Sequence, residues 1–173
     1  KLQLAVFFFN RVIKIIDMLQ TIAPVQIPII PGNHDEERIF YLGEVLEAQY
    51  DKCKNVTIDN RPIKRKYHAY GKCLIGLTHG YYEKIEDLGS LMPNEVPDLW
   101  AKSKFREFHL GDKHHKKDYI LKTHELNNGV VVRLLRSLAT PSVWEYDKGL
   151  VGSLKATEGF LWDKERGLIA QFT

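Results

Sequence analysis

Val25-Gln26-Ile27-Pro28-Ile29-Ile30-Pro31-Gly32-Asn33-His34-Asp35 is the stretch that decides how this chain is read. The apolar run Val25–Ile30, rich in β-branched residues, reads as a buried strand of the parallel type. Pro31-Gly32 stops it and throws the next residues out at the strand's carboxyl end, where open α/β sheets place their ligands. Three polar groups arrive there together: the Asn33 amide, the His34 imidazole and the Asp35 carboxylate. Such groups ligate metals or move protons. Asn and Asp also shape turns and cap helices, so the stretch taken alone serves either purpose.

Working outward, Val12, Ile15, Ile16 and Leu19 recur at helical spacing and predict a helix over about Asn10–Thr21, closed by Pro24. Ile39, Leu42, Val45 and Leu46 predict a second over Asp35–Tyr50. Strands are expected at Val56–Ile58, Lys66–Tyr70 and Cys73–Thr78, then two short helices across Tyr82–Lys104, interrupted by Pro93 and Pro97. Phe105–Leu110, Tyr119–His124 and Val130–Leu135 read as further strands, and Gly159–Trp162 pairs with Gly167–Phe172 as a hairpin across Asp163–Arg166. There is no internal repeat. The pattern predicts one α/β domain over residues 1–173, with a β-rich second half.

A motif repeats along this frame: a strand, a small residue, then a ligand-type side chain. It occurs at Gly32-Asn33-His34-Asp35, at Thr78-His79-Gly80 and at Gly111-Asp112-Lys113-His114. Four of the seven histidines, His34, His79, His114 and His115, fall in these loops. Loops from adjacent strands of one sheet would converge. In extended geometry Asp112 and His114 face one way while Lys113 and His115 face the other.

Composition sets the bounds. The chain has 173 residues, is 44% hydrophobic and 27% charged, and suits a globular domain with a real core. Its net charge of +3 permits contact with phosphates without demanding it. Cys53 and Cys73 are too few for a disulfide framework and read as core thiols in a reducing compartment. Leu4–Phe9 is far too short to span a bilayer, so no membrane association is expected. Because it begins with Lys1 rather than Met, the chain is expected to be a fragment, a processed product or an incomplete record of something longer.

Gly-Asn-His-Asp, then His-Gly, then a Gly-x-x-His loop, in that order and at strand ends, resembles the calcineurin-like metallophosphoesterase family. The resemblance implies an α/β sandwich of two sheets flanked by helices, with a two-metal centre at the strand ends. It implies that Asn33 and His79 ligate one metal, and that His34 protonates the leaving oxygen or stabilises the transition state. Asp35 would orient His34 or cap the following helix. The family's third motif is Gly-His-x-His; here Asp112 stands in the first ligand position and His114 in the second, with His115 or His109 as the alternative. The two metals expected are Mn²⁺ ions, with Mg²⁺, Zn²⁺ or Fe as the other choices; the Asp112 carboxylate biases the site toward harder ions. The family's opening motifs, Asp-x-His and Gly-Asp-x-x-Asp/Asn, do not stand upstream of Gly32. The resemblance therefore covers the C-terminal two-thirds of the family pattern, and the domain is expected to be incomplete at its N-terminus.

Basic clusters at Arg61–Lys66, Lys102–Arg106 and Lys113–Lys117 would track a nucleic-acid backbone in a nuclease, or serve only as solvated faces. Arg38, Tyr81, Lys113 and His115 are the substrate-binding candidates; Tyr81 and Tyr82 would stack on a base or pack against the strand. Trp100, Trp144 and Trp162 are expected in the core, and His68 and His124 are expected to be structural. The chain resembles bacterial and phage DNA-repair exonucleases of the family. That implies a cytoplasmic phosphodiesterase acting on DNA, in a bacterial or phage-infected cell, with a partner subunit or as a homodimer. The alternatives are a phosphomonoesterase or protein phosphatase of the same fold, and a non-catalytic nucleic-acid-binding module with an eroded centre.

Overall fold

The computed structural model describes residues 2–111, 124–126, 129–136, 138 and 156–173, with side chains for 9–111, 129–136, 138 and 156–173. The described residues form a mixed α/β protein with three sheets, and the chain divides into two compact units, Lys1–Ile63 and Lys64–Thr173. Among the described residues no helix is long and apolar enough to cross a membrane.

The first unit opens with helix α1 (Leu2–Leu19), which begins eight residues before the expected start. Nothing between Leu2 and Leu19 breaks a helix, and a continuous apolar run such as Leu4–Phe9 carries no period of its own. Strand β1 (Val25–Pro28) follows, then α2 (Glu36–Tyr50) and β2 (Val56–Asp59). β1 and β2 pair in parallel, so the segment is a βαβ unit, and β1 lies in this two-stranded sheet rather than in one sheet with the later strands. Ile29 N–H donates to the Asp59 carbonyl at 2.9 Å, one residue beyond the strand.

Ile16, Ile29, Leu46, Tyr50 and Val56 form the core of this unit. The Tyr50 hydroxyl donates to Asp17 Oδ1 at 2.9 Å, joining α2 to α1. Burial, then the hydrogen bond to Asp17, pushes its pKa up to about 12. Gly43 sits where the Asn60 amide crosses the helix, and that amide donates to the Phe40 carbonyl at 3.2 Å and to Glu44 Oε1 at 2.8 Å.

The second unit is built on a five-stranded sheet in the order β3 (Arg65–Tyr70), β4 (Cys73–Thr78), β5 (Phe105–Leu110), β7 (Val130–Leu134) and β6 (His124–Leu126). The central strands β4, β5 and β7 run parallel, and the outer two are antiparallel to their neighbours. Helices α3 (Leu88–Glu95) and α4 (Pro97–Lys102) connect β4 to β5. Pro97 opens α4, where a missing N–H costs nothing, whereas Pro93 is carried inside α3. Leu74, Phe108, Leu110, Val130 and Val132 alternate onto one face and pack with Leu88 and Met92.

The hairpin of β8 (Gly159–Asp163) and β9 (Gly167–Phe172) packs with the other face. There the Phe160 and His109 rings lie with centroids 4.8 Å apart and planes tilted at 45°, Arg133 Nη1 donates to Gln171 Oε1 at 3.3 Å, and the Cys73 thiol donates to the Asp163 carbonyl at 3.3 Å. Beneath the hairpin Glu107 accepts from Arg133 Nε at 2.6 Å and Nη2 at 2.9 Å, and its Oε2 lies 3.2 Å from His109 Nε2. Burial alone would raise the Glu107 pKa; the hydrogen bonds from His109 and Arg133 outweigh it and hold the carboxyl below its ordinary value. Cys73 is fully buried and Cys53 half-buried; Trp100 and Trp162 are half-buried, His68 is exposed, and Trp144 lies outside the described residues.

Candidate functional site

The first loop leaves β1 as buried Pro31 and Gly32 and surfaces as half-buried Asn33 and exposed His34 and Asp35. The Asp35 carboxylate accepts from Gly32 N–H at 2.9 Å, closing the turn that presents His34. It makes no side-chain cap bond, while its carbonyl accepts from Ile39 N–H at 2.8 Å and opens α2. Asp35 therefore shapes the loop through its side chain and starts the helix through its backbone. Arg38 is exposed on the first turn of α2. Beside this loop lies a cavity of about 420 Å³ with an apolar lining that includes Ile29, Pro31, Ile39, Phe40 and Pro62, edged by Arg61.

The second and third loops meet at the ends of neighbouring parallel strands. Gly111 N–H donates to the His79 carbonyl at 3.1 Å, and Leu135 N–H to the Leu110 carbonyl at 2.7 Å. β4, β5 and β7 thus finish at one level, with half-buried His79 at the rim. Gly80 turns the chain at φ +93°, and a Cβ there would lie 2.9 Å from the Leu110 side chain. Only glycine meets both conditions without strain. Asp112, Lys113, His114 and His115 lie outside the described residues.

Glu83 anchors the far end of the second loop. Its side chain is 5% exposed, pairs with Arg65 Nη1 at 2.6 Å and accepts from Thr78 Oγ1 at 3.1 Å. Arg65 also clamps Glu95, which accepts from the Tyr67 hydroxyl at 2.7 Å. The Arg65 guanidinium holds the Glu95 carboxyl below its ordinary range, and Glu95 in turn raises Arg65. Burial, reinforced by Glu95, raises Tyr67. Sequence reading passed over Glu83. The signal was its position four residues after His79, but an acidic residue in a loop has no period to mark it.

Between Gly80 and Glu83 stand Tyr81 and Tyr82, both exposed, at 56% and 45%. Neither ring belongs to the buried core. The cluster Lys113–Lys117 lies outside the described residues; in the other two, several cations are engaged within the fold. Arg61 pairs with Asp59 at 2.7 Å, Arg65 is clamped by two carboxylates, Lys66 is buried, and Arg106 stacks 3.8 Å from the Trp100 ring centre and donates to the Ser103 carbonyl. His109, the alternative ligand, is buried between Glu107 and Phe160.

Among the described residues no group of three or more His, Cys, Asp or Glu side chains stands close enough to hold a metal ion. The Asn33 amide oxygen and the His79 imidazole are donor types that divalent ions accept. Comparison of the chain with protein-family models, with curated proteins and with solved structures found no match.

Proposed function

We propose that the chain is part of a metal-dependent phosphodiesterase that cleaves DNA. The observation that carries this reading is the hydrogen bond from Gly111 to His79. It joins Gly111, at the end of β5, to His79, at the end of the neighbouring parallel strand β4, and Gly32–Asp35 follows β1 in the same way. The family resemblance would make Asn33, His79, Asp112 and His114 donors to divalent ions. When bound, such ions activate a water and neutralise charge on the phosphate. His34, exposed on the turn that Asp35 closes, donates a proton to the leaving oxygen, and Asp35 fixes the direction in which that imidazole projects.

Full-length protein incubated with Mn²⁺ and linear DNA should hydrolyse it. His34→Ala should lower the rate by about 10²- to 10⁴-fold, the usual worth of a general acid, while metal content by mass spectrometry stays close to wild type. Loss of metal with the rate would make His34 a ligand; absence of hydrolysis would sink the enzyme reading. One observation favours a second reading, a phosphomonoesterase: among the described residues, Arg65 and Arg106 are each held by their own neighbours. A phosphomonoester substrate in the same assay separates the two.

A further inference from the structure

We infer that Tyr81, backed by Tyr82 and Lys64, is a stacking seat for an unpaired nucleobase, so that the strand engaged at this site is single-stranded or a frayed end. The inference deepens the phosphodiesterase reading by naming the form of its substrate, and it draws on that reading only for the neighbouring site.

The loop is pinned at both ends. Gly80 is packed on Leu110 and Glu83 is buried on Arg65 and Thr78. The two residues between have nowhere to go but outward, and both are tyrosines. Their rings meet edge to face, with centroids 5.2 Å apart and planes at 87°, so Tyr82 braces Tyr81. The Lys64 ammonium sits 3.6 Å over the Tyr82 ring. A nucleobase offers its π-face to the exposed Tyr81 ring, and the Lys64 ammonium holds the Tyr82 ring that backs it. Stacking needs a base whose face is free, which a base inside a duplex does not have.

Fluorescence anisotropy with a labelled thymidine oligomer and an abasic strand of equal length tests this, in EDTA so that binding is read without turnover. Wild type should prefer the base-bearing strand. Tyr81→Ala should weaken that strand's binding by about 5- to 150-fold, the worth of one stacked base, and should no longer distinguish it from the abasic strand. Tyr81→Phe, which keeps the ring, should bind as wild type does. The proposal is overturned if wild type shows no preference for bases, if Tyr81→Ala keeps that preference, or if a blunt duplex binds as tightly as the single strand. A His34→Ala protein that retains the base preference while DNA hydrolysis is absent even from wild type would sink the phosphodiesterase reading alone. Hydrolysis without base preference would sink this one alone.

Discussion

A Cβ at Gly43 would stand 1.9 Å from Asn60 Oδ1, closer than any real side chain comes. In the interior of an exposed helix, Gly→Ala normally stabilises by up to about 1 kcal/mol through helix propensity. Here the sign should reverse. Alanine would push aside an amide that is 7% exposed and already committed to Phe40 and Glu44. Displacing a buried, hydrogen-bonded polar group costs about 1–3 kcal/mol. Urea denaturation of Gly43→Ala should therefore show a lower midpoint at unchanged slope; a higher midpoint would mean that Asn60 moves without cost. The same economy governs Gly80, where a turn and a close neighbour meet at one residue. Neither demand is visible in the letters, because a glycine in a helix and one after a strand look alike until the partner across the gap is known.

At the scale of elements, the Glu107–Arg133 pair ties β5 to β7 under the β8–β9 hairpin. Both side chains are largely buried, at 7% and 15% exposure. Taking one partner away strands the other charge, which costs about 3–5 kcal/mol. Glu107→Leu alone should lower the melting temperature sharply. Joining it to Arg133→Met should recover most of the loss, since an apolar pair of similar volume replaces a buried ion pair at little cost. Thermal unfolding followed by circular dichroism reads both; equal instability of the single and double variants would show that the pair is not coupled.

At the scale of the molecule, acid should act on the Lys64–Thr173 unit through Glu95 and Glu107, whose pKa values are both held below the ordinary 4.5. A depressed folded-state pKa contributes stability that is present above that value and is lost as pH falls through the folded one. Stability should thus fall as pH drops below 4.5, and Glu95→Gln should flatten that fall in a urea titration repeated across acidic pH. Much of this architecture was legible beforehand. Cys73–Thr78 and Phe105–Leu110 are strands with the expected ends, because glycines bound them: Gly71 precedes the first and Gly111 follows the second. The partner of β1 was not legible, since periodicity reports a strand and says nothing of its neighbour. For the site, the loop positions of Asn33, His34 and His79 were readable from strand endings. The ion pairs that hold the second loop were not, because Arg65, Glu83 and Glu95 meet only across the fold.

The double anchoring of that loop also bears on how the chain can change. Gly80 and Glu83 are each tied to a different part of the framework, and neither tie runs through positions 81 and 82. Both positions are exposed between these two anchors. Replacements there are filtered by what they meet in solution, while the sheet beneath keeps its shape. Replacements at these two positions should therefore leave the stability of the sheet close to that of the wild type.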